Sequence, residues 1–319
     1  MERKLDSGIK KNCVQIVKKS LSEKIWGILA CPNCGNILHK TNNGVQCLDC
    51  HEEYTYSKDG QLDFRLQRNK SYQLQIELGN NLLINSDLEF NTLGKNPSPK
   101  LDFAKINIPW HLTKELLSYF PKAKYNDSII LDLGCGNTIH KEICEYAGFE
   151  YIGLDYDSSE ALLLGDAHAL PFKDNSFEFI LSIAVLEHIQ YPLIMMKEVY
   201  RVLKPGGRFI GTVAFLEPFH SNSFYHHTHL GTLNSLKFAG FNIVHIAPSA
   251  DWSVLMAQAK MSLFPKLPSP ISKAIVIPTL FFHQIWWKFG YFITKSKYMN
   301  EKNRILITTG SFSFIVDKG

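Results

Sequence analysis

The stretch Ile129-Ile130-Leu131-Asp132-Leu133-Gly134-Cys135-Gly136-Asn137 decides how the rest of this chain is read. Three apolar residues run into an acid, and two glycines then bracket one small residue. The apolar run reads as a strand buried on both faces, as in a parallel sheet covered by helices. Gly134 and Gly136 let the chain turn tightly and let a ligand approach the backbone with no Cβ in the way. Asp132 stands near the carboxyl end of that strand, where open α/β sheets bind ligands. By itself a G-x-G after a strand is also an ordinary strand-to-loop turn, so the flanking sequence has to decide.

Downstream, His140 to Tyr146 reads as a short helix, and Glu150-Tyr151-Ile152-Gly153-Leu154-Asp155 as a second strand ending in an acid. An acid at that spacing beyond a Gly-rich turn suits a ribose diol, which offers two hydroxyl donors. Only ten residues separate Asp155 from Asp166, too few for a full helical crossover and a strand. The connection is therefore abbreviated and runs into a short strand before Gly165-Asp166-Ala167. Phe177 to Ser182 is a fourth strand, Leu186 to Leu203 a helical stretch stopped by Lys204-Pro205-Gly206-Gly207, and Arg208 to Phe215 a fifth strand. Thr232 to Ala239 is a helix ended by Gly240, and Phe241 to Ile246 a sixth strand. Alternation of buried strands with helices is the order of a doubly wound α/β domain. A nicotinamide dinucleotide would want a third glycine to seat its pyrophosphate at a helix N-terminus. That position is Ile139.

The N-terminal part has a different grammar. Residues 1–28 are basic, and Val14, Val17, Leu21, Ile25 and Ile28 recur at helical spacing with Lys10, Lys11, Lys18, Lys19 and Lys24 largely on other faces, which predicts an amphipathic helix,. Then come Cys31-Pro32-Asn33-Cys34 and Cys47-Leu48-Asp49-Cys50, two C-x2-C knuckles twelve residues apart. Two knuckles offer four thiolates in a tetrahedron, the donor set of a closed, structural zinc site. Ile37–Lys40 and Gly44–Gln46 read as a hairpin turning at Asn42-Asn43-Gly44, and residues 54–64 as two short strands around Asp59-Gly60. His51 is a substitute ligand or a surface residue. The seven cysteines include Cys13, Cys135 and Cys144 without a partner at ligand spacing, and the whole pattern points to a reducing compartment and a metal rather than disulfides,. No apolar segment follows the charged N-terminus, so no secretory signal is read and a cytoplasmic setting is expected. Residues 66–108 are polar, with Pro97-Ser98-Pro99, and read as a linker.

With these residues in place, the chain resembles the class I S-adenosylmethionine-dependent methyltransferases, in the broad group that includes quinone-biosynthesis enzymes. The likeness rests on Leu131–Gly136, Gly153-Leu154-Asp155, Gly165-Asp166-Ala167 with Leu170-Pro171-Phe172, Leu186-Glu187-His188-Ile189 and Val202–Gly207. It implies a seven-stranded, Rossmann-like methyltransferase sheet over residues 109–319. It also implies that Asp132, Gly134 and Gly136 line the methionine end of the cofactor, that Asp155 holds the ribose, and that Asp166 with the Ala167 backbone reads the adenine. The family often has a third glycine after Gly136, where this chain has Asn137 and Thr138. Residues 29–65 resemble the small zinc-ribbon proteins that activate tRNA and protein methyltransferases, here fused in cis, with zinc on Cys31, Cys34, Cys47 and Cys50. The family's closing antiparallel strand is supplied by Arg304–Thr308 or by Ser311–Val316.

The methyl acceptor is less defined. Transfer from a sulfonium is an in-line displacement that needs positioning, and a base only where the acceptor must lose a proton. His188 and His220 are the candidate catalytic residues, among a His-rich loop that also holds Glu217, His226, His227 and His229. His226, His227 and His229 lack a helical i, i+4 pair or a matched carboxylate, which argues against a metal on that trio. Within the insertion at 249–303, Phe281, Phe282, Ile285, Trp286, Phe289, Phe292 and Ile293 share one helical face, with Gln284, Lys288, Tyr291 and Lys295 on the other,. The flanks are basic. This helix either covers the core or lies in a membrane interface. A complete span would strand the closing strand across the bilayer. The expected acceptor is an apolar or lipid-linked small molecule, with peripheral membrane contact. The competing readings are an RNA base methyltransferase with a zinc module, and a non-catalytic cofactor-binding partner protein. Basic residues cluster with large aromatics rather than in a broad patch around the ribbon, and the net charge is only +4, both of which weigh against nucleic acid,.

Overall fold

A computed structural model describes residues 17–76, 101–249 and 252–319. Val14, Lys10, Lys11, Cys13 and Pro97-Ser98-Pro99 lie outside the described residues. The helix expected over residues 1–28 is, in its described part, confined to α1, Glu23–Ile28. Residues 17–20 are not helical: the Lys19 N–H donates to the Gly60 carbonyl at 2.8 Å, across the chain rather than along a helix. Ser22 then starts α1 by accepting from the Ile25 N–H,. Leu21 and Ile25 are buried while Val17 is exposed. The lysines near α1 tie this segment down, with Lys19 Nζ on the Ser159 and Ala161 carbonyls and Lys24 paired to Glu150 at 2.7 Å.

The cysteine knuckles carry a three-stranded antiparallel sheet of β1 (Leu38–Lys40), β2 (Gly44–Cys47) and β3 (Glu53–Thr55). Gly44 belongs to β2 and is required by packing: a Cβ there would sit 1.9 Å from the Tyr54 carbonyl oxygen. The strand after it, β4 (Leu62–Asp63), leaves this small sheet and pairs in parallel with β7 (Leu163–Leu164) of the large one. The ribbon is thereby an edge of the main sheet. Leu29, Tyr54, Leu62 and Phe64 share one buried cluster with Leu131, Leu154, Leu163 and Phe172.

The main domain runs α2 (Lys114–Tyr119), β5 (Ile129–Leu133), α3 (Lys141–Tyr146), β6 (Glu150–Asp155), β7, β8 (Phe177–Ile183), α4 (Pro192–Val202), β9 (Leu203–Ala214), α5 (His229–Ala239) and β10 (Asn242–Pro248). After the insertion it closes with β11 (Ser311–Asp317). The strand order is β10-β11-β9-β8-β5-β6-β7-β4, with β11 antiparallel to both neighbours. Eight strands form the sheet where the sequence suggested seven, because β4 adds one from the ribbon. Of the two candidates for the closing strand, Ser311–Val316 takes the role, and Arg304–Thr308 falls in helix α8 (Glu301–Thr308), started by the Asn300 side chain. In β5, Ile129, Leu131 and Leu133 face the layer of α4, α5 and the ribbon, and Ile130 faces that of α2 and α3. This two-sided burial accounts for the unbroken apolar runs.

The insertion forms α6 (Val254–Gln258), a π-helical turn at Ala259–Leu263 and the long α7 (Ser269–Thr294). A helix that covered the core would bury its aromatic face. Instead only Ser272 and Val276 of α7 are buried, while Phe282, Trp286 and Phe292 are 68%, 66% and 71% exposed. The body-facing stripe is made of Ser272, Val276, Leu280, His283, Trp287 and Gly290, and Gly290 fits there because a Cβ would collide with Met299. No helix of the described residues is long and apolar enough to cross a membrane.

Candidate functional site at the carboxyl ends of the strands

The parallel register places Asp132 beside Gly153 and Leu133 beside Leu154, and then Asp155 beside Leu164. Asp132, Asp155 and Asp166 thus stand in succession along one end of β5, β6 and β7. Asp132 is 1% exposed. Its Oδ2 accepts from the Tyr151 hydroxyl at 2.7 Å and lies 3.3 Å from His140 Nδ1. Its Oδ1 is buried without a hydrogen-bond partner among the described residues. Such an oxygen calls for a donor.

Asp155 caps the turn it faces. Its Oδ2 accepts from the Gly136 N–H at 2.9 Å, and its Oδ1 from Asp157 and Ser158 N–H. Ser158 Oγ returns a bond to the Gly136 carbonyl at 2.5 Å. Gly134 and Gly136 both have positive φ, and a Cβ on Gly136 would meet open space, whereas one on Gly134 would strike Val185. In the place of a third glycine, Thr138 itself takes φ 55°. Asp166 Oδ1 accepts from both the backbone N–H and Nδ1 of His168, at 2.9 and 2.6 Å. Because His168 Nε2 accepts from the Tyr191 N–H at 3.1 Å, the ring proton sits on Nδ1. Burial pushes Asp166 up, but these His168 bonds outweigh it and hold the carboxyl below its usual range.

Three residues of this wall were not singled out from the sequence. His140 and Tyr151 both turn onto Asp132, and His111 meets the His140 ring edge-on with ring centroids 5.9 Å apart. Burial, with His140 alongside, pushes His111 down to about 4, so it is neutral near pH 7. Tyr151 was findable, on the neighbouring strand two residues before Gly153, the register partner of Asp132. His111 arrives from the segment before α2, and no local pattern marks it.

The second half of the site lies beyond β8 and β9. A 3-10 turn at Leu186–His188 follows β8. The His-rich loop folds back onto it: Phe224 and Tyr225 N–H both donate to the Glu187 carbonyl, and His227 N–H to Ala214. Ser221 and Asn222, at φ 42° and 59°, make the reversal. His188 and His220 come together, ring centroids 5.3 Å apart and nearly perpendicular. His226 lies 6.1 Å from His220 by the same measure, while His229 belongs to α5 and packs on Phe312. Glu187, 1% exposed, is pushed up to about 7 by burial and the nearby Glu217. Burial, with His220 and His226 adding repulsion, pushes His188 down.

At the ribbon, ligand atoms of Cys31, Cys34, Cys47 and Cys50 all lie within 4.8 Å of one another. The Cys31–Cys50 and Cys34–Cys47 sulfurs are 3.5 and 3.4 Å apart. Zinc–sulfur bonds of about 2.3 Å in a tetrahedron require sulfurs about 3.8 Å apart, so the four residues fit such an ion. Each knuckle turns through a left-handed residue, Gly35 at φ 82° in one and His51 at φ 60° in the other. His51 therefore makes a backbone turn; its ring is exposed and outside the cluster. Tyr54 OH lies 3.4 Å from Cys31 Sγ, an outer partner for that thiolate,.

Residues 131–211 match the family model described as a methyltransferase domain. A putative methyltransferase of Encephalitozoon cuniculi is 37% identical over 110 residues, 32% of this chain and 50% of that protein. The sterol 24-C-methyltransferase of Schizosaccharomyces pombe is 33% identical over 100 residues, 26% of each chain. The demethylmenaquinone methyltransferase of Renibacterium salmoninarum is 30% identical over 92 residues, 25% of this chain and 39% of that one. The chain thus spans half or less of the length of these relatives. Among solved structures, a complex between the Haloferax volcanii Trm112 methyltransferase activator and the putative methyltransferase aligns at TM-score 0.43 and 18% identity, covering 65% of this chain and 89% of that one.

Proposed function

We propose that this chain, which carries a methyltransferase domain at residues 131–211, transfers a methyl group from S-adenosylmethionine to an apolar or lipid-linked small molecule at a membrane surface. The observation that carries the cofactor reading is the row of Asp132, Asp155 and Asp166 with one buried oxygen of Asp132 left without a donor. The methionine ammonium would supply that donor. Asp155, already organised by three N–H groups, would receive the ribose hydroxyls, and Asp166 with the Ala167 backbone the adenine edge. The open space at Gly136 suits close approach of the ligand,. When bound, the cofactor supplies an electrophilic methyl on a sulfonium. The protein's own task is to hold the acceptor in line and keep water out. His188 and His220, brought together beyond the ends of β8 and β9, would be the groups that take a proton from the acceptor.

The acceptor class rests on α7. Its aromatic face points away from the body, and Lys260, Lys266, Lys273, Lys295 and Lys302 lie within the helix or flank it in sequence. Large apolar side chains with a basic surround fit the interface of an anionic bilayer, where rings sink to the acyl boundary and lysines meet headgroups. The sterol and menaquinone chemistry in two relatives' names points the same way. The four thiolates would hold a structural zinc ion. The test is transfer of labelled methyl from S-adenosylmethionine into a fractionated extract of cells and membranes. Label in the solvent-extractable fraction is expected, and label confined to RNA would overturn the acceptor class.

A further inference from the structure

Glu187, His188 and His220 form a cluster that the cofactor does not explain. One ligand atom of each lies within 4.8 Å of the other two. Glu187 Oε2 and His188 Nδ1 are buried without hydrogen-bond partners among the described residues, and so is Nε2 of the adjoining His226. Leaving several polar atoms unpaired in one place is costly unless a common partner joins them. That partner would be a cation. A second carboxylate, Glu217, faces the cluster, its Oε2 3.9 Å from His220 Nε2. The Pro218 carbonyl accepts from His220 Nδ1 at 2.9 Å, which fixes the proton there and leaves the Nε2 lone pair free for an ion,. Glu217 is held in turn by the Trp252 indole N–H at 2.7 Å.

We propose that Glu187, His188 and His220 bind a divalent first-row transition ion, separate from the ribbon zinc. Two imidazoles and a carboxylate suit zinc, manganese, iron or cobalt better than calcium or magnesium. Three protein ligands leave positions open, as in catalytic rather than structural sites. The elements that bring the ligands together are the ends of β8 and β9, on the acceptor side of the site. An open position there would take an oxygen donor such as a phenol, enol or hydroxyl. The ion's charge would lower the pKa of that oxygen, its proton passing to solvent before methyl transfer, so that with the ion bound His188 and His220 act as its ligands in place of taking that proton themselves. This last role rests on the methyltransferase reading, whereas ion binding does not.

The test is cobalt titration of the full chain purified with its ribbon zinc, followed by visible absorption and equilibrium dialysis. One further equivalent of cobalt is expected, with weak d–d bands and no thiolate charge-transfer band. His220→Ala and Glu187→Gln should each weaken its binding at least about tenfold, the loss that even an outer partner of a ligand causes. The near-isosteric Glu187→Gln keeps the test valid where His220→Ala fails to fold. No cobalt beyond the zinc, cobalt bearing thiolate charge transfer, or equal affinity in the variants would overturn the site. S-adenosylmethionine binding by the same wild-type sample is read separately, so loss of the metal proposal is distinguishable from loss of the methyltransferase one.

Discussion

The ribbon before the main sheet and the insertion before its last strand are both additions to one α/β core, and they dispose of apolar side chains in opposite ways. The ribbon turns inward. Tyr54 and Phe64 are 1% and 0% exposed, their rings 5.2 Å apart, and β4 extends the main sheet. The insertion turns outward, with eleven large apolar or aromatic side chains of α7 exposed. Burial of the first kind stabilises a fold. Exposure of the second kind, far beyond scattered surface leucines, marks a surface that meets something apolar. The difference predicts that damage to the ribbon is read as lost stability and damage to α7 as lost binding.

The largest effect is expected at the knuckles. Cys47→Ser should abolish zinc binding and destabilise the whole chain by about 3 kcal/mol or more, since metal binding in such modules is folding free energy. That corresponds to a fall in Tm of roughly 6–12 °C, measured by calorimetry with zinc content alongside. A main transition left in place while a small one disappears would show the ribbon to be an independent appendage. Next in size is α7. Trp286→Ser with Phe289→Ser should weaken binding to anionic vesicles at least about tenfold, since burying each ring is worth about 1.5–3 kcal/mol. Stability should move by no more than about 0.5 kcal/mol. A large drop in Tm with unchanged flotation would make this face a core cover after all.

The smallest effect concerns the seam that joins the N-terminal segment to β6. Burial raises the Glu150 carboxyl, but the bonds from Lys24 and Ser22 and the Lys24 charge outweigh it and hold it below 4.5, its ordinary value. A carboxylate lowered in the folded state contributes stability above its unfolded pKa and loses it as pH falls through the folded one. Glu150→Gln should therefore cost under about 1 kcal/mol at pH 7, and the gap to wild type should close in urea titrations below about pH 4. A gap independent of pH would assign the effect to packing.

Much of the proposed cofactor wall was legible in the sequence because its residues are local to strand ends. Asp132, Asp155 and Asp166 each follow or end an apolar run, and strand period with parallel order brings them to one edge. His111, His140 and the pairing of Tyr151 with Asp132 were not, since each depends on how separate elements meet. The second tail strand of the ribbon was read correctly as a strand, but no local pattern distinguishes a hairpin partner from an edge of another sheet. The His-rich loop announced itself by composition. Which histidines converge depends on the reversal at Ser221 and Asn222, and this brings His220 to His188 while His229 joins α5. The periodicity of α7 marked its two faces, but period alone says nothing about which face meets the protein.

Both additions border one central claim, that the strand ends of β5, β6 and β7 hold S-adenosylmethionine. Calorimetric titration of the full chain with S-adenosylmethionine, with Asp155→Ala alongside, tests it most directly. Saturable binding to one site is expected, weakened roughly a hundredfold or more in the variant through loss of hydrogen bonds to a charged group worth about 1.5–3 kcal/mol each. No heat from the folded wild type, or equal affinity in Asp155→Ala, would contradict the account.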